Sequence, residues 1–266
     1  MDQELTITSR KNERIRDAKQ LQQRKYRDQR GSFYLEGVRV VEEALSTPLV
    51  ETVFYSPRLT STSRGLELVR KAKNQRVHTL PCSEEVLSEL TDTVQSQGVV
   101  AVVRKPAWPS FCSGVMLIAD EIQDPGNMGT LLRTAVGSGV QGLFVIEGSV
   151  DLYNPKVLRS SMGAIFHLPH WLVTRTQVLD FARKNGSTLL IADLVDSDNY
   201  WDVRYPHNVA VVIGNEARGV HRDFRDAALL RVQIPLAGPV ESLNAPVAAG
   251  VLLYEILRQH RSEIEG

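Results

Sequence analysis

Five side chains stand out by type and spacing: Asn127, Arg133, Glu216, Ser242 and Asn244. They offer a guanidinium, a carboxylate, two carboxamides and a hydroxyl, a set suited to hydrogen-bonding a polar ligand. Each sits in a short polar or glycine-rich stretch beside an apolar run. In LIADEIQDPGNMGTLLRTA (117–135), Pro125 and Gly126 make a loop, Asn127 can cap the next helix, and Arg133 lies six residues further on. In VVIGNEARGV (211–220), Gly214 and Gly219 flank Glu216, and glycine lets a backbone take positive φ or close on a ligand. In VQIPLAGPVESLNAPVAAG (232–250), Ile234-Pro235 ends an apolar run, and Ser242 and Asn244 stand where the last helix starts. Taken singly, each stretch has a plain structural reading as a cap, a tight turn or a helix start.

The elements that must position these residues follow from periodicity. After residue 112, apolar strands (VMLIAD, GLFVIEG, TLLIADL, VAVVIG, RVQIP) interleave with helices (NMGTLLRTAV, PKVLRSSM, QVLDFARK and a final helix over 244–261). That alternation predicts an α/β fold with a parallel sheet covered on both faces, and ligands of such sheets sit beyond the carboxyl ends of the strands. Gly137, Gly139 and Gly142 spell a dinucleotide-type G-x-G-x-x-G, but a helix precedes them and a strand follows, the reverse of what pyrophosphate binding needs. They read as a helix stop and turn. Upstream, 33–104 alternates short apolar runs with amphipathic stretches and predicts a smaller α/β unit. The segment KPAWPS (105–110) breaks both patterns, so the expected division is 1–105, a linker over 106–111, and 112–266.

Composition excludes several classes. With 42% hydrophobic and 23% charged residues in 266, the chain reads as an ordinary globular protein. No apolar run is long enough to span a bilayer and MDQELTITSRKNER lacks a secretory core, so a cytoplasmic protein is expected. Cys82 and Cys112 have no metal-ligand or disulfide pattern and read as structural thiols, with no metal expected. The 31 basic and 31 acidic residues cancel, yet 10–30 holds nine basic residues against Glu13, Asp17 and Asp28. Arg10, Lys11, Arg14, Lys25 and Arg27 are therefore candidate phosphate contacts, although a solvated helix face explains the same charges.

Taken in order, the three stretches resemble the three motifs of the SpoU family of tRNA/rRNA ribose 2'-O-methyltransferases, within the SPOUT superfamily. Asp-Pro-x-Asn with an Arg six residues beyond the Asn, Gly-x-Glu-x-x-Gly, and Ile-Pro-(apolar)-x-Gly-x-x-x-Ser-Leu-Asn are all present. TSRKNERIRDAKQLQQRKYR, FYLEGVRVVEEAL and Gln97-Gly98 resemble the substrate-binding domain of rRNA-modifying members, so the likeness covers nearly the whole chain. It implies a catalytic domain whose C-terminal segment forms a trefoil knot, against the general rule that chains are unknotted. It implies S-adenosylmethionine held mainly by main-chain groups around Gly214, Gly219, Ile234, Leu236, Leu243 and Asn244. Arg133 would act at the ribose 2'-hydroxyl, with Asn127, Glu216, Ser242 and Asn244 positioning it and the ribose. A guanidinium is a poor base, so an electrostatic role at the developing alkoxide is preferred for Arg133, with the proton acceptor left open. RNA is the implied substrate, ribosomal RNA ahead of tRNA because of the N-terminal domain, and a catalytically inactive RNA-binding protein is the alternative. The family works as homodimers, and Val247, Val251, Leu252 and Ile256 offer an apolar face on the last helix. One departure is Pro246, where a small residue or Ser is more frequent.

Overall fold

The computed structural model describes residues 5–91, 95–111, 113–193 and 196–265; Cys112 lies outside them. In chain order the first elements are α1 (Glu13–Gln20), α2 (Arg24–Arg30), β1 (Ser32–Glu36), α3 (Val38–Ala44), β2 (Val50–Tyr55), α4 (Pro57–Thr60), α5 (Ser63–Asn74), β3 (His78–Pro81), α6 (Glu84–Leu87) and β4 (Val99–Arg104). There follow β5 (Val115–Asp120), α7 (Pro125–Gly137), β6 (Gly142–Ile146), α8 (Pro155–Ser161), β7 (His170–Val173), α9 (Arg175–Asn185), β8 (Thr188–Ala192), β9 (Asp198–Asn199), β10 (Val209–Gly214), α10 (Arg222–Ala227), β11 (Leu230–Gln233) and α11 (Ala245–Glu265). Gly137 ends α7 and Gly142 opens β6, with Gly139 at φ 73 in the turn between them.

Two compact units result: Met1–Ala107 with Tyr153–Phe166, and Trp108–Leu152 with His167–Gly266. Tyr153–Phe166 packs with the first unit although it falls inside the expected 112–266 domain. The reason is aromatic packing. The rings of Tyr153 and Phe166 lie 4.8 and 6.2 Å from that of Phe33, and Lys105 Nζ stands 4.8 Å over Tyr153. Neither ring falls on a recognisable period.

The first unit is a four-stranded mixed sheet, β1-β4-β2-β3, in which only β2 and β3 run parallel. All five residues of β1 are buried, and Tyr34, Phe54, Val100 and Val102 meet Ile15, Ala18 and Leu21 of the α1 region in one core. Cys82 belongs to this core, where burial pushes its thiol up to about 12, so it is an unreactive thiol.

The second unit is a seven-stranded sheet, β7-β6-β5-β10-β8-β11-β9, with every pairing parallel. The strands expected from sequence are present, together with β7 and the two-residue β9, neither of which was expected. The HWLV of β7 is too short and mixed to show a period, and Leu172 of this edge strand is 57% exposed. β10 lies between β5 and β8 with Gly214 opposite Asp120, so the ends of the first two motif-bearing strands are neighbours. The helix α11 turns Ala249, Leu252, Leu253 and Ile256 inward, all at most 1% exposed. Leu252 and Ile256 are thus core residues rather than part of a free apolar face, while Val247 and Tyr254 remain half exposed. Among the described residues no helix is long and apolar enough to cross a membrane.

Candidate active site

The site is assembled at the carboxyl ends of β5, β10 and β11. Asp124 caps α7, its carboxylate accepting Asn127 N at 2.8 Å, and Pro125 occupies the first turn, where its missing N–H costs nothing. Asn127 is thereby fixed at the helix start. Its Nδ2 donates to Glu216 Oε1 at 2.9 Å, and its Oδ1 accepts Asn244 Nδ2 at 3.2 Å. One chain of hydrogen bonds, Glu216–Asn127–Asn244, therefore joins the three motifs. Glu216 also accepts the backbone amides of Asp124 and Gln123, each at 3.3 Å. Burial pushes its carboxyl up, but Asn127 and the backbone amides of Glu216, Gln123 and Asp124 outweigh it and hold the group below the usual carboxylate value.

The turn bearing Glu216 is shaped by a residue that sequence reading passed over. Asn215 is buried at 8%; its Oδ1 accepts the amides of Ala217 and Arg218 at 3.0 and 3.1 Å, and its Nδ2 donates to Glu121 O at 2.8 Å. A side-chain amide filling a turn in this way is an Asx-type device, which an Asn between Gly and Glu could have signalled. Gly219 sits at φ 68, and a Cβ on Gly214 would run into the Gly219–Val220 peptide. Both glycines are required by the backbone.

Beside this turn lies a cleft of about 370 Å³. Gly214, Gly219, Ile234, Leu236, Leu243 and Asn244 all line it, as do Glu216 and Ser242. The further lining residues, not anticipated, include Asp193, which follows β8, and Arg225 of α10, whose Nε stands 3.6 Å from the Asp193 carboxylate. Arg133 is not among the lining residues. It is exposed on α7, and six residues of helix carry its side chain about 120° round from Asn127. Among the described residues, no group of three or more His, Cys, Asp or Glu is arranged to hold a metal.

The basic residues singled out near the N-terminus divide. Lys11 and Lys25 are exposed, Arg10 pairs with Glu89 at 3.2 Å, and Arg14 Nη1 lies 3.2 Å from His78 Nε2. Arg27 is a correction. It is 4% exposed and donates to the carbonyls of Leu21 and Gln22, both at 2.8 Å, so it closes the turn between α1 and α2 and cannot meet a phosphate.

Residues 114–254 match the SpoU rRNA Methylase family, and residues 12–101 match the MRM3-like substrate binding domain. The chain belongs to the SpoU rRNA methylase family. A family relative, the 23S rRNA (guanosine(2553)-2'-O)-methyltransferase of Bacillus subtilis, is 31% identical over 94% of this chain and 98% of its own. The 23S rRNA (uridine(2479)-2'-O)-methyltransferase of Streptomyces viridochromogenes is 32% identical over 90% of this chain and 87% of its own. Among solved SpoU structures, the methyltransferase AviRb from Streptomyces viridochromogenes in complex with AdoMet superposes with a TM-score of 0.83, at 31% identity, covering 95% of this chain and 99% of that one.

Proposed function

We propose that the protein is an S-adenosylmethionine-dependent RNA ribose 2'-O-methyltransferase acting on ribosomal RNA. The observation that carries this is the Glu216–Asn127–Asn244 chain standing at the rim of a cleft lined by the third motif. The cleft suits the cofactor. Its walls combine apolar side chains (Ile234, Leu236, Leu243) with the glycine main chain of Gly214 and Gly219, and Asp193 and Arg225 would supply charge for the cofactor's polar groups. When bound, S-adenosylmethionine supplies a methyl already activated by its sulfonium centre.

The protein is left to align a ribose 2'-hydroxyl with that methyl and to answer the charge that grows on the oxygen. Glu216 holds Asn127, Asn127 holds Asn244, and Ser242 stands on the same wall of the cleft. Arg133 would stabilise the alkoxide through its guanidinium. Its distance round α7 from Asn127 favours a site completed by a second copy of the chain. We accordingly infer a homodimer that uses the half-exposed Val247 and Tyr254 of α11. We also infer a trefoil knot over the third and second motif segments, on the family resemblance and the insertion of β10 between β5 and β8. The N-terminal unit would present RNA through Lys11, Arg14 and Lys25, and the working compartment would be the cytoplasm.

Tritiated methyl transfer to bulk ribosomal RNA and to tRNA tests the reading, with ribose-methylation mapping to find the nucleotide. Label is expected in ribosomal RNA at a 2'-oxygen; no label in any RNA would sink the assignment and leave an RNA-binding protein. Arg133→Ala should abolish transfer while calorimetric affinity for S-adenosylmethionine stays within about threefold of wild type. Unchanged turnover would remove Arg133 from the mechanism.

A further inference from the structure

The carboxyl end of β5 carries a departure from local backbone preference, and the start of α9 carries a departure from helix electrostatics. Glu121 takes φ 57, in the left-handed region that a long side chain enters at a cost. Arg175 is the first residue of α9, where the free N–H groups and the helix dipole favour an acid over a base. Both departures end on the same ion pair. Arg175 Nε donates to Asp120 Oδ1 at 2.9 Å, and its Nη2 donates to Glu121 Oε1 at 2.5 Å.

The remaining oxygen of each carboxylate turns to the loop Asn215–His221. Asp120 Oδ2 accepts His221 N at 2.8 Å, Glu121 Oε2 accepts Arg218 Nη2 at 2.6 Å, and the Glu121 carbonyl accepts Asn215 Nδ2 at 2.8 Å. The loop is thus held at its first residue, at Arg218 and at its last, and Glu216 rides between those points. The side chains of Asp120 and Arg175 are 1% and 19% exposed, so this pair is enclosed, while Arg218 reaches Glu121 from the surface.

We propose that Arg175 is a positioning residue for methyl transfer, holding the Asn215–His221 loop through Asp120 and Glu121 so that Glu216 keeps Asn127 and Asn244 in place at the cleft. The proposal rests on reading this site as the methyltransferase site. The base at the start of α9 and the glutamate at positive φ meet in one hydrogen-bonded network, and that network reaches both ends of the loop that carries Glu216.

Arg175→Gln removes the bridge. Val178→Ala, on the same helix and 1% exposed in wild type, loosens the fold without touching the carboxylates. Both are to be compared with the wild-type chain by thermal unfolding, amide hydrogen exchange, S-adenosylmethionine calorimetry and single-turnover transfer at saturating cofactor and RNA. Arg175→Gln is expected to lower the single-turnover rate about tenfold or more, with cofactor affinity within about threefold, and to speed exchange at the Gly219 and His221 amides. Val178→Ala, even with an equal fall in Tm, should keep the rate within about twofold and leave those amides protected. Arg175→Lys keeps the charge but lacks the fork, and should fall between; it carries the test if Arg175→Gln does not fold. Equal rate losses in the glutamine and alanine variants would reduce Arg175 to a fold-stabilising residue, and wild-type turnover in either Arg175 variant would overturn the proposal. A wild-type chain that methylates no RNA would sink the site reading instead, while the exchange comparison would still decide whether the loop is held by Arg175.

Discussion

A carboxylate that already receives three donors, as Glu216 does from Asn127, Gln123 and Asp124, is a weak proton acceptor, because each bond stabilises the charged form. In the proposed site it would hold Asn127, and the 2'-hydroxyl proton would leave by another route. His170 shows the opposite case. It is buried against Trp108 with Nδ1 on the Leu168 carbonyl, and burial lowers its pKa to about 4. The native state therefore refuses a proton that the unfolded chain takes up near its ordinary value of about 6.5. The stability this contributes is present above that value and is lost as pH falls towards 4, about 3 kcal/mol in all. Denaturant unfolding of wild type and His170→Gln at pH 7.5 and at pH 4.5 should show their difference shrinking at the lower pH; a constant gap would contradict the buried neutral imidazole. At this scale Asn127, Glu216 and Asn244 were legible because motif spacing survives in sequence. Arg27 was not, since a charge count carries no direction, and Arg175 was not, since its partners lie 54 and 55 residues away.

Among the elements, the strand-to-turn passage after β10 is the least tolerant. Gly214 meets the Gly219–Val220 peptide so closely that even a methyl has no room, and that peptide is backbone, which cannot swing aside as a side chain can. Gly214→Ala should therefore push the cleft wall outward and weaken S-adenosylmethionine binding about tenfold or more by calorimetry, with a loss of about 1–3 kcal/mol in stability. Wild-type affinity would show that the wall is not part of the cofactor site. The helices and most strands were legible from periods of 3.6 and 2. β7 escaped because four residues with a polar start and an exposed Leu172 show no period, and α10 because its six residues are mostly charged and turn only Phe224 inward.

For the whole molecule, the exposed part of α11 bears on assembly. Val247 and Tyr254 are 52% and 53% exposed, seven residues apart on a helix whose other face is core. For the homodimer proposed above, Val247→Asp with Tyr254→Asp should shift the chain towards monomer in sedimentation equilibrium and lower methyl transfer, with Tm measured alongside to detect loss of folding. A fully dimeric double variant would place the interface elsewhere. The division into two α/β units was legible in the KPAWPS break. The return of Tyr153–Phe166 to the first unit was not, because it depends on where Phe33 finds ring partners.

That return has a consequence for synthesis. A ribosome finishes β4 well before it reaches Tyr153, so the N-terminal unit lacks its last aromatic cover until β5, α7 and β6 have also emerged. Phe33 lacks these two ring partners through that interval, and a nascent chain halted before residue 153 would carry an incomplete first unit.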